Sequence, residues 1–318
     1  MTASRATVAV LTYRRPERLA TALEALLPHV SAAGAGLLVV DNDLTESARP
    51  VFERVTAGRA GVRYVHEPAP GIAAARNRAL DEVAASGSDL IVFVDDDETP
   101  GEAWLATLLA AHERYGGTGV AGPAVPSLPG RDPWIESGGF FARPRHPSGT
   151  RVDVAASNNL LLDVGWLAER GLRFDEAFGL TGGSDTMLTL RITSRGGALY
   201  WCDEAVVEDP VPAKRFTRRW VVRRAYRVGN CTIRARVEIA ETAPGRLVAR
   251  MRGVGAGMTR VIAGTARAAA GTIAGRGSAR GIRTTARGAG MIAGAVGVVY
   301  TEYSRTAASR PHPVGVPS

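Results

Sequence analysis

Four acidic residues stand together directly after an apolar segment. The segment DLIVFV is followed by Asp95, Asp96, Asp97 and Glu98. Adjacent carboxylates repel one another unless a cation lies between them, and they are typical ligands of Mg²⁺ or Mn²⁺ together with substrate phosphates. A solvated turn that caps the next helix is the simpler alternative, but a helix cap needs only one acid. The pattern therefore predicts a site where a divalent cation meets a phosphorylated substrate.

Other polar residues follow earlier apolar segments in the same way. The segment TVAVLT ends at Thr12 and is followed by Tyr13 and Arg14, and the segment LLVVD ends at Asp41. Short apolar segments alternate with helical patterns through this part of the chain, which indicates βαβ units and a parallel sheet. Ligands of such sheets bind beyond the carboxyl ends of the strands. We therefore expect an α/β fold with these polar residues at one edge of the sheet.

A second enzyme class shares part of the acidic motif. Asp95-x-Asp97-x-Thr99 also matches the nucleophile motif of haloacid-dehalogenase-type phosphatases. That chemistry needs a downstream lysine and a further acidic pair for magnesium. Lys214 is the only lysine of the chain, and the acids after it are isolated: Glu238, Glu241 and Glu302. The phosphatase is a remote alternative for this reason.

Several short segments together resemble the family 2 glycosyltransferases in their order and spacing. They are residues 12–19 (TYRRPERL), 40–43 (VDND), 71–77 (GIAAARN), 93–100 (FVDDDETP), 157–159 (SNN), 174–175 (FD) and 183–185 (GSD). The resemblance extends to about residue 210 and implies a GT-A fold, with a mixed, mainly parallel sheet flanked by helices. It also implies a nucleotide-sugar donor, UDP-linked in our reading, and inversion at the anomeric carbon.

The same resemblance implies roles for individual residues. It assigns one group to the nucleotide sugar: Thr12, Tyr13, Arg14, Asp41, Arg76, Asp95 and Asp96. Asp97 falls on the metal ligand of the family motif, where Mg²⁺ or Mn²⁺ would stabilise the charge of the diphosphate leaving group. Asp185 falls on the catalytic base that deprotonates the acceptor hydroxyl. A further group is assigned to the acceptor side: Asn158, Asn159 and Ser184.

Two departures from the family pattern leave an alternative open. Ser184 stands where a glutamate is usual, and no histidine lies between His146 and His312, where some members have a metal ligand. Glu208 or Asp209 is the substitute ligand, or the cation relies on Asp97 and the phosphates. A catalytically weak GT-A-fold protein that binds a nucleotide sugar, or acts as a scaffold, is therefore the alternative to an active enzyme.

The charge of the chain is divided unevenly. Residues 1–210 hold 19 Arg and Lys against 28 Asp and Glu, whereas residues 211–318 hold 20 against three. We therefore expect a GT-A domain over 1–210, a basic helical extension rich in Arg, Ala and Gly over 211–303, and a loose tail over 304–318. No apolar run reaches the ~18 residues of a membrane span. Two cysteines exclude a disulfide scaffold, and the first ten residues show no signal peptide.

The basic extension favours contact with an anionic membrane. An arginine stripe at helical spacing, defined as Arg276, Arg280, Arg283 and Arg287, lies beside an uncharged segment, 288–301. The segment is too short to span a bilayer but suits its surface. A helical hairpin in solution and Gly-rich disorder are the alternatives, and no specific nucleic-acid partner is expected. We predict a cytoplasmic protein, peripheral at the inner face of the cell membrane, whose acceptor is lipid-linked or a small natural product.

Overall fold

The computed structural model describes residues 5–179, 182–275 and 277–300. Its first part alternates strands and helices: β1 (Ala6–Thr12), α1 (Pro16–Ala33), β2 (Gly36–Asp41), α2 (Arg49–Thr56), β3 (Val62–His66), α3 (Ile72–Ala85) and β4 (Leu90–Asp95). These elements agree with the apolar segments and helical patterns of the sequence. Strands β1, β2 and β4 are apolar along nearly their whole length because both of their faces are covered by helices, whereas the edge strand β3 is only partly buried and carries Arg63 and His66.

The middle of the chain contains shorter strands. Its elements are β5 (Thr99–Pro100), α4 (Trp104–Tyr115), β6 (Gly119–Ala121), β7 (Ala124–Ser127), α5 (Pro133–Gly138), β8 (Arg151–Val152), β9 (Asn159–Asp163), α6 (Val164–Glu169), α7 (Ser184–Ser194), β10 (Leu199–Trp201) and β11 (Val207–Pro210). Two 3₁₀ turns occur at Glu176–Phe178 and Ala213–Arg215. Three helices follow: α8 (Arg218–Ile239), α9 (Ala243–Ile273) and α10 (Ala279–Ala295).

The strands form two sheets. The large one has eight strands in the order β3-β2-β1-β4-β9-β6-β10-β8, and the small one has the order β5-β11-β7. In the large sheet, β9 runs antiparallel to β4 and β6, and β8 antiparallel to β10, while the other pairs are parallel. The predicted α/β class and the mixed, mainly parallel sheet are confirmed.

Alternate residues of the central strands enter two separate cores. Val8 and Val10 pack with α1, α2 and α4, whereas Ala9 and Leu11 pack with α3, α6 and α7. This division follows from the two-residue repeat of a β-strand. Trp104 of α4 is fully buried in the first core. The sheet is thus held rigidly from both faces, and the residues at its carboxyl edge have a fixed frame.

The C-terminal helices pack closely on one another and on the sheet domain. A Cβ atom on Gly290 of α10 would collide with the carbonyl of Tyr226 on α8, and one on Gly257 of α9 would meet the Gly288 carbonyl oxygen at 2.9 Å. Small residues therefore allow the three backbones to approach. α8 also packs on α7 through a small apolar cluster that includes Met187 and Ala235. The predicted helical extension is present.

Two side chains of the arginine stripe form hydrogen bonds to the sheet domain. Arg280 donates through Nε to the Ser137 carbonyl at 2.9 Å, and Arg283 donates to the Gly139 carbonyl. These hydrogen bonds attach α10 to α5, although the Arg280 side chain stays exposed, and Met291 of the uncharged segment is buried. Arg276, the end of that segment and the predicted tail 304–318 lie outside the described residues. Among the described helices, none has the length and hydropathy of a membrane span.

Candidate functional site

Three polar residues end neighbouring parallel strands. Thr12 of β1 is in register with Asp41 of β2, and Leu11 is in register with Asp95 of β4. The side chains named from the sequence for the nucleotide sugar therefore meet at the carboxyl edge of the sheet, where α/β proteins bind ligands.

Asp41 organises the loop after β2. It is fully buried, and its carboxylate accepts hydrogen bonds from the Asp43 amide at 2.9 Å, the Ala48 amide at 2.9 Å and the Tyr64 hydroxyl at 2.7 Å. Moving a buried carboxylate away from these three partners would cost free energy, because its hydrogen bonds would be lost. Asp41 thus fixes the wall of the cleft from inside.

Arg14 and Tyr13 form the exposed part of the same wall. Arg14 donates through Nε to Asp43 at 2.8 Å, and its guanidinium lies 5.2 Å from the centre of the Tyr13 ring. Burial tends to raise the pKa of Asp43, but hydrogen bonds from Arg14 and Thr45 outweigh it and lower the pKa. Asp43 was not singled out from the sequence, although it belongs to the motif VDND. An exposed aromatic ring beside this ion pair can stack on a planar base.

Asp96 joins the ends of β1 and β4. It is 4% exposed and accepts from the Thr12 hydroxyl at 2.8 Å and from Arg15 Nη1 at 3.2 Å. Burial raises its pKa, which these hydrogen bonds oppose. Thr12 and Asp96 were predicted to bind the nucleotide sugar, and in this structure both side chains are used to hold two strands together.

Asp97 lies between two arginines at the start of α1, the N-cap residue Arg15 and Arg18 of the first turn. Its Oδ2 accepts from Arg18 Nη1 at 2.6 Å and from Arg15 Nη1 at 3.2 Å. Arg15 and Arg18 stand in the first matched segment, but no local pattern links them to an acid about 80 residues away. Both arginine side chains are about 40% exposed, so these ion pairs are accessible to water and can be exchanged for other partners.

Asp95, which is half-buried, and Glu98, which is buried, form an acidic pair. The Asp95 amide donates to Glu98 Oε2 at 3.1 Å, and Asn158 Nδ2 donates to Glu98 Oε1 at 2.5 Å. Burial raises the pKa of Asp95 to about 6; Arg76 opposes this shift, and neighbouring acids, Asp209 among them, add to it. Burial and then repulsion from Asp95 raise the pKa of Glu98 well above its usual range.

Asp209 reaches this pair through the small sheet. β11 pairs with β5, which directly follows the acidic motif, and Glu208 is in register with Thr99. Asp209 is ion-paired with Arg143, and its charge contributes to the raised pKa values of Asp95 and Glu98. Glu208 and Asp209 were the two substitute metal ligands considered from the sequence. Of these, Asp209 is the one whose charge acts on the acidic motif.

Arg76 acts on the acidic pair and contacts the residue just before the predicted base. Its guanidinium acts electrostatically on Asp95 and donates through Nη1 to the Ser184 hydroxyl at 2.9 Å. Asp185 follows in the first turn of α7, where the positive end of the helix dipole favours a carboxylate. Asp185 is half-buried, and its Oδ1 accepts from the Thr186 amide at 2.7 Å.

Asn159 lies in the core, so its predicted place on the acceptor side is corrected. It is 1% exposed, accepts from Trp104 Nε1 at 2.9 Å and donates to the Ala205 carbonyl at 2.7 Å. It begins β9, and its side chain points to the opposite face from its neighbour Asn158, as strand geometry requires. Asn158 remains beside the acidic pair.

The chemistry of the donor set fits a hard divalent cation. Asp95, Asp97 and Asp209 supply only oxygen; burial is the main cause of the raised pKa of Asp95, and repulsion from Asp97 and Asp209 adds to it. Among the described residues, no three His, Cys, Asp or Glu side chains already have metal-binding spacing. Mg²⁺ commonly needs only one or two protein carboxylates, because substrate phosphates and water complete its shell.

The chain is similar to known sugar-transferring proteins. The family model described as "Glycosyl transferase family 2" matches residues 7–166. The succinoglycan biosynthesis protein ExoM of Rhizobium meliloti is 32% identical over 226 residues, which cover 70% of this chain and 72% of that protein.

Solved structures share the fold at low identity. The mannosyltransferase PcManGT of Pyrobaculum calidifontis, in complex with GDP-Man and Mn²⁺, has a TM-score of 0.62 and 22% identity, covering 93% of this chain and 87% of its own. GalNAc-T7 with UDP, GalNAc and Mn²⁺ has a TM-score of 0.56 and 12% identity, covering 75% of this chain and 48% of its own. S. aureus TarS in complex with UDP has a TM-score of 0.52 and 15% identity, covering 77% and 68%. These structures confirm the GT-A fold.

Proposed function

This chain belongs to glycosyl transferase family 2 and is a glycosyltransferase, and on that premise we propose that it moves a sugar from a UDP-linked donor to an acceptor hydroxyl group with inversion. The link from Asp95 through Arg76 to Ser184 and Asp185 is the observation that supports this most. Arg76 thus relates the acidic motif on the donor side to the start of α7, which carries the base. The donor side and the acceptor side of the site are therefore positioned by the same residue.

The donor would lie along the carboxyl edge of the sheet. The ring of Tyr13 is 37% exposed and offers a stacking surface for the base, while Arg14 and Asp43 form the polar rim beside it. Asp41 keeps the loop beside it in place. UDP is favoured over GDP because two of the three structural neighbours described above hold UDP.

Asp97, with Asp95 and Asp209, would hold Mg²⁺ or Mn²⁺, and the cation would neutralise charge on the diphosphate leaving group. A cation at Asp97 must compete with the guanidinium groups of Arg15 and Arg18, which hold this carboxylate in the described structure. Two structural neighbours contain Mn²⁺.

Asp185 would act as the general base. A single proton moves from the acceptor hydroxyl to the Asp185 carboxylate while the oxygen attacks the anomeric carbon, and the nucleoside diphosphate leaves from the opposite face. Inversion follows from this single displacement. A relative named for succinoglycan biosynthesis supports an acceptor that is itself a glycan in synthesis. A lipid-linked form of that acceptor and a small natural product remain the two possibilities.

A thermal-shift panel tests the donor. We expect UDP-glucose or UDP-galactose to raise the melting temperature when Mn²⁺ is present, because a ligand that binds only the folded state stabilises it by mass action. The Asp97→Asn variant should lose the Mn²⁺-dependent part of this rise in melting temperature. The Asp153→Asn variant, changed at an exposed residue, should keep it. Stabilisation by GDP-mannose alone would overturn the UDP assignment, and no stabilisation by any donor would overturn the proposed donor class.

We also propose that the enzyme works at the inner surface of the cell membrane, through α9 in place of the arginine stripe. An apolar stripe on α9, defined as Leu247, Met251, Met258, Ile262 and Ile273, is exposed along one helical face. Helix α9 carries five arginines and no acid. An exposed apolar face flanked by arginines suits the surface of an anionic bilayer.

A further inference from the structure

A second charged site lies beside the acidic motif, in a cavity of about 110 Å³. Nine residues line it: Phe141, Arg143, Asp209, Val211, Pro212, Arg215, Trp220, Arg224 and Arg227. Four of these are arginines and one is a carboxylate. The arginine cavity, defined by Arg143, Arg215, Arg224 and Arg227, therefore brings together more positive than negative charge.

The walls of the arginine cavity are aromatic and rigid. The rings of Phe141 and Trp220 lie 6.1 Å apart at an interplanar angle of 8°. The guanidinium of Arg224 lies 5.6 Å from the Phe141 ring and 5.7 Å from the Trp220 ring, and it donates to the Phe140 carbonyl at 3.2 Å. The stacked rings hold this guanidinium in one orientation, which reduces the entropy lost when a ligand binds.

The four arginines that line the arginine cavity outnumber its single carboxylate, Asp209. Burial, together with repulsion from Arg143, Arg227 and Arg215, lowers the pKa of Arg224 to about 10, and the opposing charge of Asp209 does not offset this. Like charges held together in a partly buried space are unfavourable until an anion joins them. Phosphate esters, with several oxygens and two or more negative charges, are the ligands that grouped guanidinium forks bind best.

The position of the arginine cavity relates it to the transfer reaction. Asp209 lines it and also acts electrostatically on Asp95 and Glu98. Arg227 approaches the other side, since a Cβ atom on Gly182 would lie 3.3 Å from its Nη1, and Gly182 stands just before the predicted base. Three of the four arginines lie beyond residue 166, where the family model ends.

We propose that Arg143, Arg215, Arg224 and Arg227 form a binding site for a phosphate or diphosphate group next to the centre of sugar transfer. This inference rests on the proposed function. The group belongs either to the donor or to an acceptor that carries its sugar on a phosphate. Both sources present the same chemistry to the arginines, and the stacked rings of Phe141 and Trp220 can contact an apolar part of such an ester.

Calorimetric titration of the full chain with inorganic pyrophosphate, in EDTA, tests the site. We expect the Arg215→Gln/Arg224→Gln variant to bind pyrophosphate at least about tenfold more weakly, because two charge-assisted contacts are lost. The Arg223→Gln variant removes an exposed arginine of the same helix and should bind as the wild type does. The single Arg215→Gln variant, which leaves the Arg224 contacts intact, keeps the test available if the double variant does not fold.

Two further titrations separate the sources. If the site holds the donor, UDP displaces pyrophosphate and the double variant also loses UDP affinity; if it holds the acceptor, pyrophosphate binds alongside UDP and UDP affinity is kept. Either result supports the site. Pyrophosphate that fails to bind the wild type, or binds the folded variants equally well, would overturn it. Binding of UDP with Mn²⁺ to the wild type is measured separately, so failure of this site is distinguishable from failure of the proposed donor.

Discussion

Arg76 and Ser184, 108 residues apart in the chain, are joined by a hydrogen bond of 2.9 Å from Nη1 to the hydroxyl oxygen. The sequence suggested that serine at this position weakens the site, because a glutamate is usual there. The structure gives the serine a positive role. Its hydroxyl accepts a hydrogen bond from an arginine whose charge also acts on Asp95, and this relates the start of α7 to the acidic motif.

The Ser184→Ala variant tests this link. Loss of a hydrogen bond to a charged group costs ~1.5–3 kcal/mol, and we expect turnover to fall about tenfold as Arg76 loses its fixed position. The rate of UDP release by slow donor hydrolysis is the measurement. Ser194→Ala, at the exposed end of the same helix, is the control and should be neutral. A Ser184→Ala enzyme with the wild-type rate would show that the link does not matter.

The raised pKa of Asp95 predicts a pH-dependent stability. The folded-state pKa is about 6, against 3.8 for an ordinary aspartate, so between these values the folded chain keeps a proton that the unfolded chain has lost. Stability therefore falls as the pH rises through this range, and the burial of a charged Asp95 is fully felt above pH 6. In the Asp95→Asn variant the side chain cannot ionise, so this loss of stability does not occur.

Urea unfolding of the metal-free protein measures the effect. The free energy gained by Asp95→Asn should be about 1 kcal/mol larger at pH 7.5 than at pH 5. Asp153→Asn, an exposed acid, should show no such difference. If the gain is the same at both pH values, Asp95 is ionised throughout and the assigned pKa shift is wrong.

Arg18 is predicted to compete with a metal ion for Asp97. Its Nη1 lies 2.6 Å from Asp97 Oδ2, on a side chain that is 41% exposed. Because the pair is partly solvated, its removal should be a modest effect, and we expect Arg18→Gln to bind Mn²⁺ about threefold to tenfold more tightly. Electron paramagnetic resonance of free Mn²⁺ gives the affinity, with the surface variant Arg54→Gln as control. Unchanged or weaker binding would remove Asp97 as the metal ligand.

The α9 apolar stripe makes a prediction about membranes. We expect the full chain to sediment with anionic vesicles but not neutral ones, and 1 M salt to release much of it, because the Debye length falls from ~10 Å to ~3 Å. Met251→Glu/Ile262→Glu should abolish binding. The control variant Ala263→Glu/Ala270→Glu adds the same charge at exposed positions away from the stripe. It should retain most of the binding to anionic vesicles. Self-association of α9 without vesicle binding would contradict the proposal.

Local patterns predicted the frame of the site but not its contacts. Thr12, Asp41 and Asp95 were placed at strand ends because apolar segments and helical spacing are local properties. The ion pairs of Arg15 and Arg18 with Asp97 join residues about 80 positions apart, and no local pattern contains that information. Asn158 and Asn159 were both assigned to the acceptor side, but Asn159 lies in the core because neighbouring residues at the start of a strand point to opposite faces.

The arginine stripe shows the same limit. Helical spacing correctly put Arg280 and Arg283 on one face, but spacing does not say what that face meets. In the structure it meets the carbonyl groups of Ser137 and Gly139. The apolar stripe of α9 was available in the sequence, at Leu247, Met251, Met258 and Ile262, and its exposure became evident only once the small residues of the opposite face were seen to contact α10.

The rate of UDP release by the Asp185→Asn variant, with Mn²⁺ and the donor chosen from the panel, tests the central proposal most directly. Asparagine is nearly isosteric with aspartate, so the melting temperature and the donor affinity should be unchanged, while turnover should fall ~10²- to 10⁴-fold because the general base is absent. The control, Asp153→Asn, should release UDP at the wild-type rate. An Asp185→Asn enzyme that binds the donor and turns it over normally would contradict the proposal, and Asp175 or Asp209 would then be the carboxylates to examine as the base.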